Sequence, residues 1–337
     1  MNYNRKNQAL ARRHVQSLKA IIYKDWIKDS IDKSKIYEDL DLCLEPSETP
    51  TMIKVKNLDV VTALFKYGNH NTAVLNFADF VKPGGAFLEG GTAQEEALCH
   101  SSTLYPVLTG HQKDYYDVNA EDLNNHLYRN RALYSPDILF TNGRSKHRAN
   151  VITCAAPNLN EAEKVEGFKI DENNKAMYER IKLVIQIALD NGIDTLILGA
   201  WGCGVFGQDT LTVARLFKYV IEQHCGISNI IFAIKDSKKY NTFVQVFYAE
   251  DVFTEVAKLL NMDVVQIVED SEPVEEVEPV DENGCIVRVG DHIETPRLLF
   301  AEGELVPEGT LCKVTRASDG TLDLLTPSGK MIIGFAI

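Results

Sequence analysis

Residues 72–104, TAVLNFADFVKPGGAFLEGGTAQEEALCHSSTL, run from an apolar stretch through a glycine-rich segment into helical spacing. The run Thr72–Phe77 reads as a buried strand, and 93–104 reads as a helix. A strand that enters a helix through a glycine loop is a unit of α/β architecture. Ligands in such folds bind at the carboxyl ends of strands, in the loops that lead into helices. Here the loop carries Gly84, Gly85 and Ala86 a few residues ahead of Gln94, Glu95 and Glu96. Glycines let backbone N–H groups approach an anion closely, and a carboxylate beside that anion is a candidate acid/base. Acids in a first helical turn also complement the helix dipole, which would account for one of the two without any chemistry.

Working outward, the pattern repeats. Short strands are expected at 137–140 and 150–155. Residues 173–190 have helical spacing through Met177, Ile181, Val184, Ile185 and Ala188, stopped by Asn191-Gly192. A strand at 195–199, a helix at 208–224, a strand at 230–234 and a helix at 242–260 complete the body. Strands separated by helices predict an α/β fold with a mixed, mostly parallel sheet sandwiched by helices. No internal repeat is evident.

A second glycine loop lies at 199–207, GAWGCGVFG, between a strand and a helix. Its glycines permit a backbone nest, and the helix that follows adds partial positive charge. A diphosphate fits both features. Gly202 through Gly207 spell G-x-G-x-x-G, so a dinucleotide site is an alternative. Against it, the match falls late in the body, and the next strand-end acid, Asp236, comes later than the usual spacing. The Lys-Ser/Thr of a P-loop is absent. Phe206 reads either as a core plug or as a wall that holds a ribose or base. Trp201 reads as core, and Cys203 as a packed small hydrophobe rather than a nucleophile.

Composition bounds the rest. With 337 residues, 45% hydrophobic and 25% charged, the chain can build a full-sized core. No run approaches a membrane span. The basic, amphipathic N-terminus reads as the first helix of the fold rather than a transit peptide. The net charge of −13 argues against broad nucleic-acid binding. Seven cysteines without a C-x-x-C pair point to a reducing, cytoplasmic compartment and away from a disulfide framework or a zinc site. Residues 269–282, with eight acids, two prolines and no basic residue, read as a solvated linker. The expected division is a body at 1–265, an acidic linker at 266–283 and a small all-β, SH3-like barrel at 284–337. Strands are expected there at 285–289, 311–315, 322–326 and 331–337. The tail has no cluster of catalytic residue types; an adaptor and a structural appendage both fit.

The sequence resembles the bacterial-type poly(ADP-ribose) glycohydrolases, which are macrodomain proteins. Their signature is a glycine triplet, a spacer, then Gln-Glu-Glu. Here it reads Gly84-Gly85-Ala86, seven residues, Gln94-Glu95-Glu96. Leu75-Asn76-Phe77-Ala78, Ala97-Leu98-Cys99-His100-Ser101-Ser102, Ala155-Ala156-Pro157-Asn158-Leu159 and the 198–207 loop extend the likeness, which spans about 8–260. The resemblance implies cleavage of ribose–ribose bonds in poly(ADP-ribose), without metal or cofactor and with ADP-ribose as product. It implies Glu96 as the acid/base and Glu95 as its substrate-positioning partner. Gly84, Gly85 and Ala86 would cradle a diphosphate from one side, and Gly202, Cys203, Gly204, Val205 and Phe206 from the other. Phe206 would order the ribose, and Asn76 and Gln94 would shape the pocket. The third triplet position is Ala86: a methyl group is costly if φ must be positive there and harmless if only a compact residue is needed. An ADP-ribose-binding module without hydrolysis, or a hydrolase of another ADP-ribosyl linkage, remains the alternative.

Overall fold

The computed structural model describes residues 2–38, 51–224, 226–249 and 252–260, and six strands between 292 and 336. The chain divides into two compact units, Met1–Met262 and Asp263–Ile337.

Unit one is built on a seven-stranded sheet. Its strands are β1 (Lys35–Glu38), β2 (Met52–Lys56), β3 (Thr72–Phe77), β4 (Arg131–Thr141), β5 (Lys146–Cys154), β6 (Thr195–Leu198) and β7 (Asn229–Ala233). The order is β1-β4-β5-β3-β6-β7-β2. Strands β5, β3, β6, β7 and β2 pair in parallel, while β4 runs antiparallel to β5 and to β1. The expected mixed, mostly parallel sheet is therefore present.

Each central strand is buried on both faces, and alternate residues feed opposite cores. Ala73, Leu75, Leu196, Leu198, Ile230 and Phe232 join one core, with Met177, Phe217 and Phe243 from helices Ile170–Asp190, Thr210–His224 and Ser237–Ala249. Val74, Ile197 and Ile231 join the other, with Leu64, Leu98 and Leu108 from helices Val60–Tyr67, Gln94–His100 and Leu104–Gly110. This two-sided burial explains the near-continuous apolar runs of β3 and β6. Full burial of each such side chain contributes about 1.5–3 kcal/mol.

Several boundaries differ from expectation. The strands at 137–140 and 150–155 are parts of a longer antiparallel pair, β4 and β5. Pro136 looks like a strand breaker, but β4 absorbs it with a register shift between Ser135 and Ile138, where Asp137 has φ +57°. Residues 93–104 hold two short helices rather than one, because the chain turns at Ser101–Thr103 between Gln94–His100 and Leu104–Gly110. The helix expected at 242–260 is Ser237–Ala249 followed by Phe253–Leu259. The first begins earlier because Asp236 Oδ1 accepts from Lys239 N–H at 3.0 Å, an N-cap geometry.

Unit two contributes a four-stranded antiparallel sheet of Met331–Ala336, Thr321–Leu325, Leu311–Ser318 and His292–Glu294, in that order, and a Leu299–Ala301/Glu304–Val306 pair. The strand expected at 285–289 and the acidic linker at 266–283 lie outside the described residues.

Candidate active site

The carboxyl ends of β3, β5, β6 and β7 share one edge of the sheet, as their parallel pairing requires. Both glycine loops leave from that edge, and a cleft of ≈ 460 Å³ opens beside the second; Asn76, Gly84, Gly85, Ala86 and Cys203 are not among its lining residues. Phe77, Thr92, Gln94 and Ala97 line it from the first segment, and Trp201, Gly202, Gly204, Val205 and Phe206 from the second. Leu58–Val60 and Ala233–Asp236 complete the lining. A cleft of this size matches the few hundred cubic ångströms typical of small-ligand sites.

Gln94 ties the strand to the helix that carries the acids. Its Oε1 accepts from Phe77 N–H at 2.9 Å and its Nε2 donates to the Leu75 carbonyl at 2.7 Å. One side chain thus satisfies both a donor and an acceptor at the end of β3, and fixes the next two residues against the loop.

Glu95 and Glu96 are almost wholly buried, 3% and 6% exposed. Glu95 accepts from Asn76 Nδ2 at 3.1 Å and from Asp79 N–H at 2.8 Å. Asn76 also donates to Thr153 Oγ1 on β5, so it is a buried spacer between strand and carboxyl. Glu96 Oε1 accepts from Ala86 N–H at 2.8 Å. Its other oxygen is buried and has no partner among the described residues. Such an atom is costly to leave unpaired and marks a place for a ligand group or a proton.

The first loop is therefore a seat for carboxyls. Gly85 has φ +56°, and a Cβ there would lie 2.8 Å from Glu96 Oε1 and 2.9 Å from Glu95 Oε2. Gly91 backs against the same group, with a Cβ position 3.0 Å from the Glu96 carboxyl carbon. Glu95 and Glu96 lie behind the wall formed by Thr92 and Gln94 rather than on the cleft lining. Ala86 is absent from the residues of positive φ, so alanine there carries no backbone strain. Replacing Ala86 with glycine is expected to leave turnover within about twofold of wild type while lowering stability by roughly 0.4–1 kcal/mol. Steady-state kinetics and thermal unfolding check both.

Asp79 turns back on its own loop instead of facing the cleft. Its Oδ1 accepts from Val81 and Lys82 N–H, each at 2.9 Å. That Asx turn starts the loop in the direction the carboxyls need.

The second loop has the opposite character. Asn160 holds its carbonyls: Nδ2 donates to Val205 O at 2.8 Å, and its N–H to Phe206 O at 3.2 Å. Gly207 has φ +74°, and a Cβ there would sit 2.3 Å from Asn160 Oδ1. Among the described residues, nothing accepts from the N–H groups of Gly204, Val205 and Phe206. Val205 is 77% exposed, so the loop tip is open to a ligand. Cys203 is buried, and burial pushes its thiol up to about 12, which fits packing and not nucleophilic chemistry. Trp201 is core. Phe206 is half-buried and lines the cleft.

Three contributors were not legible as site residues. Asn160 follows the 155–159 segment directly, and only its position beyond a strand end hinted at a role. Phe80 and Tyr128 stack at 4.3 Å between centroids, and Tyr128 meets Phe206 edge-on at 6.1 Å. The N-terminal helix Asn2–Leu18 also grips the first loop, with Asn7 Nδ2 on Gly90 O at 3.4 Å and Gln8 Nε2 on Glu89 O at 3.1 Å.

Burial pushes the Glu95 carboxyl up to about 8, opposed by the Asp79 N–H and Asn76 bonds and reinforced by the nearby Asp79 and Glu96 charges. Glu95 thus keeps its proton at neutral pH, whereas an unfolded chain releases it near ~4.3. Stability from this group is complete below the unfolded value and is lost as pH rises through about 8. Glu95→Gln, which is neutral at every pH, should come nearest to wild-type stability at about pH 4 and exceed it by a growing margin towards pH ~9. Thermal unfolding across that range tests the sign; a wild type no less stable than Glu95→Gln at the alkaline end would contradict it.

The fold and site together define an α/β protein with a nucleotide-sized cleft, backbone amides without a partner among the described residues, and two buried carboxyls off the cleft lining. Comparison with known proteins finds similarity within that class. Residues 8–142 match the family described as "Microbial-type PARG, catalytic domain". The structure resembles poly(ADP-ribose) glycohydrolase from Thermomonospora curvata, at 26% identity and TM-score 0.64, over 72% of this chain and 99% of that one. The same enzyme bound to the inhibitor ADP-HPD gives 26% identity and TM-score 0.63, over 72% of this chain and 100% of that one. Poly(ADP-ribose) glycohydrolase from Deinococcus radiodurans in complex with ADP-ribose gives 28% identity and TM-score 0.60, over 65% and 96%. No curated protein sequence matches the chain. The resemblance carried by Gly84–Glu96 is borne out: residues 8–142 match the microbial-type catalytic domain, and unit one is similar in structure to bacterial poly(ADP-ribose) glycohydrolases. Among the described residues, no helix is long and apolar enough to cross a membrane.

Proposed function

We propose that this chain hydrolyses the ribose–ribose O-glycosidic bond of poly(ADP-ribose) and releases ADP-ribose, with Glu96 as the group that moves the proton. The observation that carries the assignment is the pair of Glu96 oxygens. One is fixed by Ala86 N–H and the other is buried without a partner among the described residues. In the forward step the Glu96 carboxyl gives its proton to the leaving ribose oxygen as the C1–O bond breaks. The resulting carboxylate then takes a proton from the water that adds to C1, which restores the acid. The C1 centre passes through an oxocarbenium-like state, and the neighbouring diphosphate charge favours it.

The amides of Gly204, Val205 and Phe206 are the diphosphate donors in this reading. Gly84 and Gly85 hold the nearer side by giving the carboxyls room. Phe206 forms the ribose wall. With the diphosphate at the middle of the cleft and the reaction centre at one end, the nucleoside falls towards Leu58–Val60 and Ala233–Asp236. Glu95 and Asn76 set the loop and touch no reacting atom. The fold is read as a macrodomain, and the strands of unit two as a small barrel.

A second reading has its own observation. The carboxyls stand behind the cleft wall, which favours a module that binds ADP-ribose without cutting it. Timed digestion of labelled poly(ADP-ribose), with ADP-ribosylated protein side chains in parallel, separates the readings. Release of ADP-ribose from polymer supports the glycohydrolase. Release from side chains alone assigns another linkage. Binding without release over hours at high enzyme leaves the binding module.

A further inference from the structure

The segment Asn124–Tyr128 has a backbone that ordinary residues avoid. Asn124, Asn125, His126 and Tyr128 have φ of 44°, 52°, 65° and 62°, and none is glycine. A left-handed conformation is unfavourable for each, most of all for a bulky residue. Strain of this kind persists only where the surroundings over-determine it, and it gathers at functional sites.

The restraint here is Arg180, a fully buried arginine on helix Ile170–Asp190. It donates to the carbonyls of Leu127 and Tyr128 at 3.4 and 3.2 Å, to Asn130 Oδ1 at 2.9 Å and to the carbonyl of Ala155. No carboxylate pairs with it among the described residues. Each of these partners is a neutral oxygen, and two of them belong to the strained turn. Asn158 adds a second tie: its N–H donates to His126 O at 2.9 Å. Burying a guanidinium is costly unless its donors are used, so these bonds fix the turn rather than decorate it.

The held turn puts the Tyr128 ring between the two glycine loops. One face stacks on Phe80 of the first loop, 4.3 Å between centroids and 13° between planes. Its edge meets Phe206 of the second loop at 6.1 Å and 62°. We propose that Arg180 and Tyr128 are positioning residues for the reaction. Arg180 locks the left-handed turn, and the Tyr128 ring spaces the loop that seats Glu96 from the loop that carries the Phe206 ribose wall. The inference rests on the glycohydrolase reading for its kinetic consequence, but its structural part does not.

The test compares wild type with Tyr128→Ala, Tyr128→Phe and Arg180→Met. On poly(ADP-ribose), Tyr128→Ala should lower kcat by up to about a hundredfold, as a misplacement near 1 Å does, with KM within about threefold. Tyr128→Phe keeps both ring contacts and should restore wild-type kcat. A purely structural role would lower the melting temperature and leave kcat unchanged below it. The second readout is the NMR signal of the Phe206 ring, assigned by its loss in Phe206→Leu. It should shift or broaden in Tyr128→Ala and Arg180→Met and stay put in Tyr128→Phe. If Arg180→Met does not fold, the two Tyr128 variants decide. A folded Tyr128→Ala protein with wild-type kcat, or with an unchanged Phe206 signal, overturns the proposal. If wild type releases nothing from polymer, the glycohydrolase reading fails by itself, and the Phe206 signal still judges the positioning.

Discussion

Glu96→Gln is expected to lower kcat on poly(ADP-ribose) by about 10²–10⁴-fold, the usual worth of a positioned acid/base. The carboxamide oxygen still accepts from Ala86 N–H, so the seat between Gly85 and Gly91 stays filled. What disappears is the ability to give a proton and take it back. ADP-ribose affinity should remain within about threefold, because the diphosphate donors belong to the other loop. Product chromatography and calorimetry on the same preparation separate the two effects. Loss of both binding and turnover would mean that the carboxyl is structural.

Gly85→Ala should be nearly as damaging, by a different route. An alanine at φ +56° costs roughly 1–2 kcal/mol of backbone energy. Its Cβ would also stand 2.8 and 2.9 Å from one oxygen of each carboxyl. Those same two oxygens accept from Ala86 and Asp79 N–H, and Asn76 holds the second Glu95 oxygen, so the acids cannot retreat without breaking those bonds. A displacement of about 1 Å is enough for a loss near a hundredfold. The neighbouring Ala86→Gly change, one residue away, should cost almost nothing in rate. The contrast between the two is what tests the seat: equal effects at both positions would mean that the loop tolerates or resists change generally. Kinetics read beside thermal unfolding, with activity measured well below each melting temperature, separates lost geometry from lost fold.

The architecture was legible where burial was two-sided. β3, β6 and β7 are apolar runs because both faces pack, and all three were read at nearly their true bounds. The edge strands β1 and β2 were not read. MIKVK and KIYE are short and half-exposed, and their period is diluted by lysine. Pro136 hid the length of β4, since a proline in an apparent strand argues against one. At the site, the glycines and acids announced themselves by type and spacing. The meaning of the third triplet position did not, because φ at Ala86 is a property of the folded loop. The Tyr128 bridge was invisible for a stronger reason. It depends on a left-handed turn that no residue type there requires, and on an arginine some fifty positions away that holds it.

Glu96 can move the proton only if it meets the scissile bond. The most direct measurement is the structure of the Glu96→Gln protein with a short poly(ADP-ribose) chain bound. The diphosphate is expected on the amides of Gly204, Val205 and Phe206, and the ribose against the Phe206 ring. The inter-ribose oxygen should lie within about 2.6–3.2 Å of the substituted side chain, directly or through one water. A chain bound with that oxygen on the far side of the Thr92–Gln94 wall, with no movement of the loop to admit it, would contradict the account.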